Sequence, residues 1–158
     1  MTIKDVLVRH LQDTFEVETW QPPLSDAVKD LTAKQAAWKP APERHSIWQI
    51  VRHIILWKQG VLEAWDGHAP DMPAMERADW GEASGDEAAW QTDVRRLHDV
   101  TAKIKQRVEA SDEAFLAGKM PSYQGVRDQT AVLRLMAMAT HDIYHAGQIR
   151  YIRALQGV

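Results

Sequence analysis

SIWQIVRHIILWKQGVLEAW, residues 46–65, decides the fold class. Its apolar residues Ile47, Ile50, Val51, Ile54, Trp57, Val61, Leu62 and Trp65 form the broad face of an amphipathic helix. Ser46 and Gln49 have the spacing of a capping box, in which each side chain satisfies an orphan backbone N–H. The helix is therefore expected to open at Ser46, and Gly67 is placed to end it. One residue is out of character. His53 lies on the stripe Ile50, His53, Trp57, Val61, where an imidazole needs a reason to be.

The same helical reading extends in both directions. Downstream, residues 67–85 form a long connection, of a length often found at functional sites or interfaces. Trp80 in that loop is placed to roof a pocket or to meet a second subunit. Ser84 and Glu87 suggest another capping box, before the stripe Trp90, Val94, Leu97, Thr101, Ile104, Val108. Residues 110–127 read as an irregular link with Gly118, Pro121 and Gly125. A last helix is expected from about Asp128 to Leu155, with Gly157 as terminator. Upstream, residues 2–20 carry Ile3, Val6, Leu7, Leu11, Phe15 and Val17 at helical spacing. Pro22 and Pro23 stop that helix, and Leu24, Ala27, Val28 and Leu31 form a weaker one. WKPAPERHS, residues 38–46, is a loop. No β-alternation of useful length occurs. The expectation is one all-α domain over 1–158, a four-helix bundle.

Composition narrows the function. The chain has 158 residues, 45% hydrophobic and 26% charged, as a globular domain does. It has no cysteine, which excludes disulfides, thiolate metal sites and a cysteine nucleophile. The net charge of -3 and the lack of a basic stripe argue against nucleic acid. No apolar run spans a membrane, and the N-terminus lacks an h-region, so a cytoplasmic protein is expected. Seven Trp and seven His stand out.

HDIYHAGQI, residues 141–149, is the strongest chemical signal. His141 and His145 lie one helical turn apart on one face, where both can reach one metal ion. Leu133, Ala137 and Ile152 are read as lying on or near the same apolar stripe. If the two helices are neighbours, His53 converges with the pair. Three neutral imidazoles and an open position form a typical catalytic zinc set, and the same donors suit nickel or copper. Such a site keeps the ion's full charge, lowers the pKa of a bound water toward ~7 and stabilises a developing oxyanion or thiolate.

These segments carry a resemblance. Residues 46–65, residues 141–157 with their H-x-x-x-H-x-G-Q-I ending, and Trp38, Lys39 and Pro40 before the second long helix resemble the DinB/YfiT-like superfamily of metalloenzymes. This family is distinct from the DNA polymerase that shares the DinB name. The resemblance implies an up-down-down-up four-helix bundle, often a homodimer. It also implies nickel or zinc on His53, His141 and His145. Characterised relatives include thiol-dependent transferases and isomerases that use a low-molecular-weight thiol, many members have no established substrate, and some are stress-inducible.

The remaining candidates have competing readings. Asp142 occupies the position of a zincin's general base, but aspartate is shorter than glutamate, and a solvent-facing charge is the expectation. Tyr144 can donate a hydrogen bond near the metal, although core packing is the commoner role at this spacing. Gln148 is placed to orient a ligand or a bound water. His10, His45, His68 and His98 are expected to be structural or exposed. Arg134, Arg150 and Arg153 are expected to be solvated. On these readings the chain is a metal-dependent enzyme that activates a small thiol or a water against a small electrophile. The rivals are a metal-dependent hydrolase and a non-catalytic dimeric metal-binding protein.

Overall fold

Helices begin where a side chain can take the orphan N–H groups, and this chain supplies one at most starts. A computed structural model describes residues 1–121 and 129–158. Thr2 caps α1 (Ile3–Phe15) with a capping box through Asp5. Two short helices follow, α2 (Leu24–Val28) and α3 (Ala33–Ala37), the latter capped by Thr32 and Gln35. Ser46 and Gln49 form the expected capping box on α4 (Ile47–Trp65). Then come α5 (Met72–Ala78), α6 (Glu87–Ala110), α7 (Glu113–Ala117) and α8 (Ala131–Gln156). No strand occurs among the described residues, only an isolated bridge between Lys119 and Thr130. None of their helices is long and apolar enough to cross a membrane.

The four long helices enclose the core. α1 packs on α8 and α6, and α4 packs on α6 and α8. Leu7, Leu11, Ile104, Val108, Leu135 and Ala139 fill one region, and Trp48, Ile54, Trp90, Leu97 and Ile149 fill another. A polar clamp fixes α4 against α6. Asp93 accepts from the Trp48 indole N–H at 2.8 Å and from Arg52 at 2.7 Å, and Arg96 donates to its other oxygen. This matters because α4 carries His53.

Several expectations need correction. α1 ends at Phe15 and not near residue 20. The segment beyond it contains β-branched Val17 and Thr19, and Trp20 is fully exposed, so no packing holds a further turn. The weak helix expected over 24–31 is α2, which stops at Val28, and a separate short helix, α3, follows it at Ala33–Ala37. Asp86, not Ser84, caps α6 by accepting from Ala89 N–H, while Glu87 reaches across to the Ala33 N–H at 2.8 Å. The links 67–85 and 110–127 contain α5 and α7. The last helix starts at Ala131 behind Thr130, and Gly157 ends it in the left-handed conformation at φ 74°. Gly125 and Asp128 lie outside the described residues. Leu133 is exposed and Ala137 lies on the surface, so only Ile152 of that trio is buried. Arg134 is buried, with its guanidinium donating to Pro121 O, and Arg153 donates to carbonyls at the end of α2. Arg150 is exposed, as expected.

Candidate metal centre

The contact of α4 with α8 brings His53, His141 and His145 together. One nitrogen from each ring lies within 4.8 Å of those from the other two. His53 and His145 are buried and His141 is half-buried.

The outer nitrogens set the tautomers. His53 Nδ1–H donates to Asp79 Oδ1 at 2.6 Å, and His145 Nδ1–H donates to Gln148 Oε1 at 2.7 Å. Each of these rings then carries its lone pair on Nε2. Both Nε2 atoms face His141 Nε2, at 3.0 and 2.9 Å. A single N–H on His141 satisfies only one of them. The set is therefore short of a proton and rich in lone pairs, and a cation is a partner that could complete it. The donors fit a divalent ion of the zinc or nickel type.

The electrostatics agree. Burial lowers the pKa of His53, outweighing the opposing pull of Asp79. Burial, with His145 and His53 close by, pushes His141 down to about 3. Burial pushes His145 down to about 4 against its bond to Gln148. All three imidazoles are neutral at pH 7, the state in which they ligate.

The loop after α5 completes the wall. Asp79 takes three contacts: His53, the Trp80 backbone N–H at 3.1 Å, and the Trp57 indole N–H at 3.3 Å. The Trp57 N–H also lies 3.2 Å from His53 Nδ1, but that nitrogen already holds a proton, so the bond goes to the carboxylate. Trp80 stacks on His53 with ring centroids 4.0 Å apart and on His45 at 3.8 Å. Its backbone has φ 58°, a conformation that costs a bulky residue on the order of 1–3 kcal/mol. Gln49 holds it there, donating to the carbonyls of Trp80 and Gly81 while its oxygen caps α4. Trp80 therefore covers the site, one of its two expected roles.

Asp142 departs from expectation. It points between α8 and α4, 1% exposed, and accepts from Lys58 Nζ at 2.7 Å. Burial raises its pKa against the pull of Lys58. Its second oxygen has no hydrogen-bond partner among the described residues. Tyr144 is exposed and not packed in the core; its hydroxyl accepts from Gln148 Nε2 at 3.0 Å. Gln148 orients His145, as expected. His45, His68 and His98 are exposed and His10 is half-buried; none joins the cluster.

Two important residues were missed from the sequence. Asp79 had no usable signal beyond its place in a long loop. Lys58 had one: it continues the run Ile47, Val51, Ile54 and Val61 at core spacing, so it demanded a buried counter-charge.

A cavity of about 270 Å³ opens beside His141, walled by Trp57, Val61, Met75 and Met138. No fourth His or carboxylate joins the cluster among the described residues. The arrangement is three imidazoles that could ligate one ion, with a cavity opening beside one of them.

Residues 18–149 match the family model of the DinB superfamily. No curated protein matches the sequence. The fold is similar to the crystal structure of a conserved protein from Enterococcus faecalis, at 15% identity and TM-score 0.70, covering 98% of this chain and 97% of that one. It is also similar to a DinB-like protein from Bacillus cereus, at 12% identity and TM-score 0.68, covering 98% and 91%. Identities this low speak to the fold alone. The family match, which spans most of the chain, goes further: the chain belongs to the DinB superfamily.

Proposed function

We propose that the protein is a metal-dependent enzyme whose divalent ion, nickel or zinc, is held by His53, His141 and His145. The observation that carries this reading is the convergence of three Nε2 atoms, two of them locked as acceptors by Asp79 and Gln148. An ion held by neutral ligands keeps its full charge and supplies Lewis acidity to a thiol or a carbonyl. The chain's own residues do the rest. Asp79 and Gln148 fix the ring orientations, Trp80 shields His53 from water, and the cavity at His141 admits a small molecule.

The preferred chemistry is thiol-dependent S-transfer or isomerisation of a small electrophile, with a low-molecular-weight thiol as cosubstrate. Family resemblance supports it. The hydrolytic rival loses the base that the sequence suggested, because Asp142 is buried against Lys58. A non-catalytic metal-binding, stress-associated role is disfavoured by the cavity at His141. The same resemblance supports an up-down-down-up bundle course and a homodimer, and the chain's length and composition support a single domain over 1–158 and a cytoplasmic location.

Metal content by mass spectrometry tests the reading, on protein purified without a nickel column. About one ion per chain is expected, lost in His53→Ala, His141→Ala and His145→Ala. No metal after reconstitution with zinc and nickel would overturn it. A panel of low-molecular-weight thiols with small electrophiles then tests transfer.

A further inference from the structure

We infer that the cavity beside His141 selects the body of the substrate: a mainly apolar molecule of about ten non-hydrogen atoms, such as a single aromatic ring on a short arm. The inference rests on the proposed function for where the reacting group goes, but not for the pocket's selectivity. The volume of about 270 Å³ equals roughly nine waters at about 30 Å³ each. That is enough for one substituted ring.

The pocket is a slot between α4 and α8. On α8, Arg134, Ala137, Met138 and His141 line it in succession. His141 and Arg134 are seven residues apart, about 10 Å along the axis at 1.5 Å per residue. Between them the wall is apolar, with Ala137 and Met138 on one side and Trp57 and Val61 on the other. Met75 from α5 closes over this stretch. Two thioethers and an indole adapt to a flat ring and attract it. A sugar or a zwitterion lying along this apolar stretch would find polar partners only at the ends of the slot, at Arg134, Gln129 and His141.

Gly60 sets the depth. A Cβ on it would stand 2.9 Å from Met75 Cε, so Met75 seats against bare backbone. Glycine inside a helix is locally unfavourable, and close approach is the physical reason for it here. Alanine at this position pushes the flexible end of Met75 into the slot. Ala137 lies on the surface and faces the slot, so a large side chain there fills it without disturbing the core.

The test is fluorine NMR of 4-fluorobenzyl alcohol titrated with the full chain, beside 2-fluoro-2-deoxyglucose as a polar probe of similar size. Saturable binding is expected for the aromatic probe and none for the sugar. Ala137→Trp is expected to weaken aromatic binding at least tenfold, and Gly60→Ala about threefold or more. Circular dichroism and metal content should match the wild type in both. His145→Ala, which does not line the slot, is expected to lose the metal and retain the aromatic probe within about threefold. The inference is overturned if the wild type shows no saturable aromatic binding, if the sugar binds as well, or if folded Ala137→Trp binds unchanged. Absence of metal in the wild type would sink the proposed function and leave these results standing.

Discussion

His141 and Asp142 are neighbours in sequence, and both meet α4, yet they belong to opposite kinds of polar site. At His141 the rings spend their outer nitrogens on Asp79 and Gln148 and turn bare acceptors toward each other. At Asp142 a carboxylate meets an ammonium at 2.7 Å with both groups 1% exposed. The first cluster presents acceptors that a cation could fill, whereas the second has its counter-charge built in. A buried polar group is therefore best read by where its lone pairs point and not by its burial.

Removing one member of the closed pair should give the largest effect. Lys58→Met leaves a carboxylate buried without compensation and is expected to cost about 3–5 kcal/mol in urea unfolding. Lys58→Met with Asp142→Leu should regain most of that loss and still bind metal as the wild type does. Loss of metal in the double variant would break the separation between the two sites.

The open cluster should respond to its supports. Asp79→Ala is expected to weaken metal affinity 10- to 100-fold, read by competition with a chelator. An unchanged affinity would mean that packing against Trp80 alone orients His53.

Acid separates the two sites by sign. The histidines have folded-state pKa values below their ordinary 6.5, reaching about 3 for His141 and about 4 for His145. The unfolded chain binds more protons below 6.5, so stability rises with pH. Their contribution is complete above 6.5 and is lost as pH falls toward 4 and then 3. Asp142, whose pKa is raised, contributes in the other direction. Carboxylates with lowered values, such as Asp93, act only below about 3.8. Unfolding of the metal-free chain between pH 4.5 and 6.5, carried out in the Lys58→Met, Asp142→Leu double variant so that Asp142 does not offset the signal, therefore reports on the imidazoles. A flat profile there would show that they are more hydrated than their burial implies.

The smallest effects are expected at the outer shell on α8. Gln148→Leu should weaken metal binding about tenfold. Tyr144→Phe removes an exposed hydroxyl and should change stability by less than about 0.5 kcal/mol. A larger loss for Tyr144→Phe in the chelator competition would move Tyr144 into the site.

Much of the fold was legible because helix signals are local. Ser46 and Gln49 announced α4, Trp90 through Val108 announced α6, and Gly157 marked the end of α8. The short helices α5 and α7 were not legible, since five to seven residues carry too little periodicity. Leu133 misled for a related reason: α8 has apolar residues on more than one face, and period alone does not say which face is covered.

The histidines of the site were visible as residues out of place on apolar stripes, and their convergence followed once α4 and α8 met. What surrounds them was not visible. Asp79 is 26 residues from His53 and reaches it only because α5 turns the chain back. Asp142 has the sequence position of a base, but the packing of α8 turns it onto Lys58. The sequence alone determined the long helices in outline, the Ser46–Gln49 cap and the three imidazoles, because each depends on spacing within a few turns. Tertiary structure decided the tautomers, the pairing of Asp142 and the slot beside His141. Those depend on which faces meet, and a side chain's chemistry follows the partner brought to it.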